Sequence, residues 1–188
     1  MPNGTVIVVD YDEEWPRRFE DLRSRIWPAV SDVAMRVEHV GSTSVVGLAA
    51  KPIIDMTIVV AERRDVTLTI ERLATLDYRH RGTLGVPDRE AFDHRSDLPR
   101  HHLYVCPEGA TGLVNQLALR DYLRAHPDAA ARYGQLKKRL ALEFPTDIDG
   151  YLSGKTDFIL DVLRRAGLTD EQLASIEHVN RKPCYGSD

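Results

Sequence analysis

The sequence predicts an α+β domain with its strands in the first two-thirds of the chain and helices in the last third. Two patterns carry that expectation. Short β-branched or apolar runs recur up to Cys106, and apolar positions at helical spacing dominate from Leu113 to Ala166. A third observation sets the scale. The chain has 188 residues, 43% hydrophobic and 29% charged, enough for one domain with a real core.

Taken in order, Thr5 to Val9 reads as a short strand. Asp12 is placed to cap the next helix, with Pro16 tolerated in its first turn. Trp15, Phe19, Leu22 and Ile26 share one face of that helix, and Pro28 should end or kink it. Met35 to Val40 is a strand, Ser44 to Ala50 a short helix or turn, and Pro52 to Val60 a buried strand. Asp65 to Leu76 reads as a helix through Val66, Ile70 and Leu73, and Arg79 to Leu84 as a strand. Val86 to Arg100 is polar and of mixed charge, so it reads as a loop before a strand at His102 to Cys106. Helices follow at Leu113 to Ala125, from Pro127 with Ala129, Tyr133, Leu136 and Leu140 inward, and at Asp147 to Ala166. Gly167 stops the last of these. Thr169 and Gln172 have capping-box spacing for a short final helix, with 178–188 a loose tail. The expected layout is one domain over 1–168, helical from about 113, then 169–188 as short helix and tail.

Charge and composition narrow the partners. A net charge of -4 and a pI near 6.0 argue against a nucleic-acid backbone as the main partner. No apolar run reaches membrane-spanning length. Met1-Pro2-Asn3-Gly4 lacks the basic start and apolar stretch of a signal peptide. Two cysteines, Cys106 and Cys184, make neither a disulfide framework nor a zinc site, and the expected compartment is cytoplasmic.

The richest chemistry lies in Val37-Glu38-His39-Val40-Gly41-Ser42-Thr43-Ser44, followed by Lys51-Pro52-Ile53-Ile54-Asp55. A strand runs into a Gly-Ser turn. Gly41 permits a tight turn and close ligand approach, and Ser42, Thr43 and Ser44 supply hydroxyls and N–H groups for a phosphate. Asp55, a lone acid in an apolar strand, needs a partner such as a divalent cation. Thr57 shares its face, and Glu38 precedes the turn. The bland alternative is a strand-turn-helix with its hydroxyls capping the helix and Asp55 satisfied by backbone N–H groups or Lys51.

Histidines form a second group. His101 and His102 are adjacent on a strand, so only one faces a given site; His102 with Tyr104 is the expected one, and His39 lies beside the turn. Cations form a third. Lys51, Arg120 and Lys155 are expected to offset phosphate charge, and Arg124 and Lys137 belong to the same basic group. Lys137-Lys138-Arg139 reads as a solvated helix face.

The run His39 to Val45, then Gly47 to Asp55, resembles the signature of the GrpB family. So do Arg100 to Val105, Leu119 to Pro127, Tyr151 and Lys155 to Ile159. The resemblance covers roughly residues 5 to 165. It implies the nucleotidyltransferase superfamily with a DNA polymerase beta-like core, a mixed sheet flanked by helices. Related domains occur fused to dephospho-CoA kinase. The superfamily pattern is Gly-Ser, then Asp-x-Asp or Asp-x-Glu, with a third acid on a later strand. Gly41, Ser42 and Asp55 match it; Thr57 stands at the second acid, and His102 to Cys106 carries no third.

Three functions are expected from this. The first is binding of a nucleotide or other phosphorylated small molecule with a divalent metal, Mg or Mn or else Zn, and transfer of a nucleotidyl or phosphoryl group. There Asp55 and Glu38 hold metal and His102 shuttles a proton or completes the ligand set. The second is a non-catalytic ligand- or partner-binding member of the fold, linked to coenzyme A metabolism. The third is a metal-dependent hydrolase using His39, His102 and Asp55.

Overall fold

Five strands form one mixed sheet in the order β1-β2-β5-β4-β3: β1 Ala34–Val40, β2 Ile54–Val60, β3 Arg79–His80, β4 Glu90–Asp93 and β5 His101–Pro107. The structure is a computed structural model and describes residues 5–94 and 97–181. Only β2 and β5, at the centre, run parallel; the other pairs are antiparallel. Six α-helices accompany the sheet among the described residues: α1 Trp15–Val30, α2 Arg63–Ala74, α3 Thr111–Ala125, α4 Pro127–Glu143, α5 Ile148–Arg165 and α6 Asp170–Arg181.

Strand periodicity sorts the side chains onto two faces. Ile54, Met56, Ile58 and Val60 of β2, with Leu103 and Val105 of β5, pack against Trp15, Leu22, Ile26 and Val30 of α1 and Leu73 of α2. Each fully buried large side chain of this core contributes roughly 1.5–3 kcal/mol. The opposite face carries Asp55, Thr57 and Val59 of β2 and His102, Tyr104 and Cys106 of β5. Its far end is apolar and closed by α3, where Leu113 meets Val59 and Cys106. Its near end carries the chemistry.

Helices α3 to α6 form a helical lobe with its own core of Leu123, Ala129, Tyr133, Ile159, Leu163, Leu173 and Ile176. Val45 and Leu48, just after the Gly-Ser turn, enter that core, so the turn is clamped between lobe and sheet. The N-terminal segment adds a second tie, with Val6 buried among Leu140 and Tyr151.

Several expectations change. Thr5 to Val9 forms no strand and makes a single bridge, Val9 to Ala50, while Val6 and Val8 pack on the helical lobe. Pro28 neither ends nor visibly breaks α1, which runs two residues further; so near the C-terminus only one backbone bond is lost. Of the short helix or turn expected over Ser44 to Ala50, the turn forms: a single 3-10 turn, Ser42–Ser44, is followed by a further turn at Val46 and Gly47. The strand expected at Arg79 to Leu84 shrinks to two residues, and the expected loop contains β4. Ala91 and Phe92 are buried there between charged neighbours that masked the pattern. The capping box at the last helix forms, Thr169 N–H to Gln172 Oε1 at 2.9 Å and Gln172 N–H to Thr169 Oγ1 at 3.3 Å. That helix runs to Arg181, so 178–181 is helix rather than tail, and residues 182–188, with Cys184, lie outside the described residues. Among the described residues no helix is long and apolar enough to cross a membrane.

Candidate functional site: an acid–imidazole pair facing a lysine cluster

The register of the sheet assembles the site. Parallel pairing sets Asp55 of β2 beside His102 of β5, and antiparallel pairing sets Val40 of β1, the residue before Gly41, opposite Asp55. The Gly-Ser turn is thereby held over the carboxylate. Gly41 has φ 68° and ψ -173°, a conformation essentially confined to glycine. A Cβ there would lie 2.2 Å from Asp55 Oδ2, so glycine is required twice, by backbone and by contact.

Asp55 Oδ1 accepts a hydrogen bond from His102 Nδ1 at 2.8 Å. A carboxylate fixes Nδ1 as the protonated nitrogen, which leaves Nε2 as an acceptor in the neutral ring. The two side chains remain 29% and 45% exposed, open to a ligand. Such a pair can orient an imidazole as a proton acceptor.

Facing this pair is a cation that the sequence reading put on a solvated helix face. Lys137 of α4 is only 2% exposed. Its Nζ donates to Ser42 Oγ at 2.7 Å and lies 4.5 Å from the centre of the Tyr133 ring. Burial pushes its pKa well below the ordinary lysine value; Lys155 adds to that and Asp55 opposes it. Lys51 and Lys155 approach the Tyr151 ring, 5.9 and 4.7 Å from its centre. Lys155 thus lies near enough to Lys137 to disfavour its charge, and Lys51 shares the Tyr151 ring with Lys155. The clue in the sequence was the helical spacing. Tyr133, Lys137 and Leu140 share one face of α4, so a lysine stood in an apolar stripe.

Other expected residues go elsewhere. Thr43 and Ser44 turn inward: Thr43 Oγ1 pairs with His39 Nε2 at 3.1 Å, and Ser44 Oγ donates to Gly41 O at 2.6 Å. Ser42 alone of the three hydroxyls faces the lysines, and the single 3-10 turn offers no helix to supply a dipole. His39 opposes Met56, on the other face of the sheet, and stacks on Phe19 at 4.6 Å between ring centres. Burial there holds its pKa down to about 4, with Asp55 opposing. The hydrolase set of His39, His102 and Asp55 is therefore not assembled. His101, the other half of the pair, is buried and shares a 2.8 Å hydrogen bond with Tyr78.

Glu38 shares the Asp55 face, but its carboxylate lies between Arg120 at 2.7 Å and Arg36 at 2.8 Å. Burial works against its charge; the two arginines outweigh that and lower its pKa. Arg120 also donates to His39 O at 3.1 Å and pairs with Asp121 at 2.7 Å. It straps α3 to β1 rather than reaching for a phosphate. Arg124 donates twice to Ser44 O, at 3.1 and 2.8 Å, and so braces the turn. Thr57, at the second acid position, is fully buried and donates to Gln116 Oε1 of α3 at 2.8 Å. Tyr104 lies one step along from His102 under the Arg89 guanidinium, 4.3 Å from its ring centre, and burial pushes its pKa up to about 12.

This donor set bears on the implied metal. Two cations on a transferring phosphate need several carboxylates. Here Thr57 and Glu38 are already engaged, and among the described residues no three His, Cys, Asp or Glu side chains gather for a metal. The set does not fit two cations. It fits one, held by Asp55 with oxygens from a phosphorylated ligand, as magnesium is often held.

The GrpB protein family matches residues 5–165. The chain is 34% identical to the UPF0157 protein YqkA of Bacillus subtilis over 84% of its own length, and spans 46% of that relative. It is 30% identical to a dephospho-CoA kinase of Mycolicibacterium paratuberculosis, covering 88% of this chain and 47% of that one. Among solved structures, the conserved protein GrpB from Enterococcus faecalis superposes with a TM-score of 0.76 at 34% identity, covering 85% of this chain and 96% of that one. More distantly, the GLD-2/RNP-8 complex matches at TM-score 0.52 and 14% identity, covering 77% of this chain and 59% of that one, which shows the shared nucleotidyltransferase-like fold alone. With a family match over most of its length and a close structural relative, the chain belongs to the GrpB family.

Proposed function

We propose that the cleft binds the phosphates of a nucleotide or another phosphorylated small molecule, together with one divalent cation. The observation that carries this is the buried Lys137 amine on Ser42 Oγ, opposite Asp55 and His102. A buried amine whose partners are a hydroxyl and a ring is costly, and a phosphate in front of it offsets that cost. Lys155, near enough to disfavour the Lys137 charge, adds its own, with Lys51 on the same Tyr151 ring. Asp55 with ligand phosphate oxygens would hold the cation, which would offset phosphate charge. His102 Nε2 would accept a proton from an attacking hydroxyl if a group is transferred. The donor set supports binding more strongly than two-metal transfer.

A second reading is a non-catalytic binding module. The Thr57–Gln116 bond favours it, because it fills the second acid position with a closed, neutral pair. The likeness to part of a dephospho-CoA kinase makes coenzyme A precursors the first phosphorylated ligands to try after nucleotides.

Calorimetric titration of the four nucleoside triphosphates, with and without magnesium or manganese, tests the reading. Metal-dependent micromolar binding that Asp55→Asn weakens at least tenfold is the expected result. Binding of equal strength with and without metal, unchanged in Asp55→Asn, removes the cation from the proposal.

A further inference from the structure

A cavity of about 650 Å³ opens between the start of α1, the 44–47 segment and the junction of α3 with α4. None of Gly41, Ser42, Asp55, His102 and Lys137 lines it. It is a separate site from the cleft, and what it binds does not depend on the phosphate reading. Its size falls within the roughly 300–1,000 Å³ of pockets that take small molecules. Pro16, Val45, Val46, Leu123, Pro127 and Ala130 give it an apolar wall.

In this apolar setting stands one charge. Arg124 is the only acidic or basic side chain, histidine aside, among the described residues that line the cavity. His39 lines it too, and burial keeps that ring neutral at pH 7, with its pKa down to about 4. Arg124 gives Nε and Nη2 to Ser44 O, and its Nη1 makes no hydrogen bond among the described residues. The nearest carboxylate oxygen to Nη1 is Asp121 Oδ1 at 4.0 Å, which Arg120 Nε already holds at 2.7 Å. Burial, and after it the charge of Arg120, works against the Arg124 charge; Asp121 and Glu38 do not make up the difference, so its pKa is lowered. The guanidinium is therefore short of a counter-charge, and its side chain is 45% exposed.

This pairing of one cation with an apolar wall narrows the ligand. A phosphate carries more charge than one arginine offsets and has no apolar body for the wall. An amine would face a like charge. A neutral apolar molecule would desolvate the guanidinium further without giving Nη1 an acceptor. A carboxylate on an apolar body meets both needs: its oxygens accept from the guanidinium, and its body takes apolar wall out of water.

We propose that this cavity binds a small apolar carboxylic acid as its carboxylate, with Arg124 holding the charged end and Pro16, Val46 and Leu123 packing on the body. Two-dimensional amide NMR titrations test it. Hexanoate and naphthoate, the matching alcohols and acetate are added to the wild-type chain and to Arg124→Met, Val46→Glu, Ala131→Trp and Lys137→Met. Val46 and Ala131 are exposed residues of the lining, so their substitutions add a like charge or bulk there without disturbing the core. The expected result is saturable shifts centred on Val46, Gly47 and Ala131 with at least one of the two acids. That acid binds at least tenfold more tightly than its alcohol or acetate. Arg124→Met, Val46→Glu and Ala131→Trp each weaken it at least tenfold, and Lys137→Met leaves it unchanged. No saturable shift with either acid overturns the proposal, as does an alcohol that binds as tightly as its acid. Affinity that survives Val46→Glu and Ala131→Trp also overturns it, even where Arg124→Met fails to bind, because loss of the Ser44 brace then explains that variant. Binding lost in Lys137→Met moves the acid to the cleft and overturns the proposal as well.

Discussion

At the scale of single residues, Lys137 is where stability and function pull apart. An amine this buried, bonded to a hydroxyl and set over a ring, carries a desolvation cost in the empty protein, and under the proposed function an anion offsets it. Lys137→Met keeps the volume and removes the desolvated amine. Urea denaturation should show it as stable as the wild type or more stable by about 1 kcal/mol. Loss of several kcal/mol would mean that Lys137 is a structural strut. Arg120 and Arg124 are the opposite case: their guanidiniums are committed to Glu38, His39 O and Ser44 O, so they hold the turn in place. Sequence spacing could not separate the two kinds of cation, because which basic residue meets a carboxylate and which is left for a ligand depends on how the helical lobe docks. What was legible was Lys137's place in the apolar stripe of α4, and reading it as a solvated face missed that.

At the scale of elements, the parallel register of β2 and β5 makes the site, since a slip of one residue would carry Asp55 or His102 to the core face. The same register buries Thr57 under α3. An aspartate at that position would place a carboxylate with no exposure beside the side-chain amide of Gln116. Thr57→Asp should therefore lose about 2 kcal/mol or more of stability and gain no transferase activity. A stable variant that transfers nucleotides would show that the site is a lapsed two-metal centre. That Asp55, Gly41 and His102 come together follows from sequence, because strand alternation and a Gly-Ser turn are local signals. Residues that act across elements, Gln116 on Thr57 and Arg89 on Tyr104, left no local trace. β4 was hidden for a related reason: a four-residue strand with charged ends shows too little alternation to stand out in a polar stretch.

At the scale of the whole molecule, two lobes share the Gly-Ser turn. Val45 and Leu48 enter the helical core while Gly41 sits on the sheet's acid, so lobe docking and the geometry of the candidate site depend on the same few residues. The α+β layout with a helical last third follows from the sequence because long helices with apolar stripes are strong signals. The tie between Val6 and the α4–α5 pair is not, since it joins residues far apart in the chain. The fold also carries a pH signature. His39 and His101, both buried, are held down to about 4 by burial, below the ordinary histidine value of 6.5. Between those limits the unfolded chain binds protons that the folded one does not, so stability falls as pH falls through that window and is unaffected above it. Urea denaturation at pH 7 and pH 5 should show a loss of about 2 kcal/mol per histidine. Equal stability at the two pH values would mean that these rings protonate freely in the fold.

The central claim is that Ser42 and Lys137 form a phosphate site. Calorimetric titration of inorganic tripolyphosphate into the wild-type chain and Lys137→Met, side by side, tests it most directly. The account predicts binding to the wild type and a loss of at least tenfold in the variant. Equal affinity in the two, or no binding to the wild type, would contradict it.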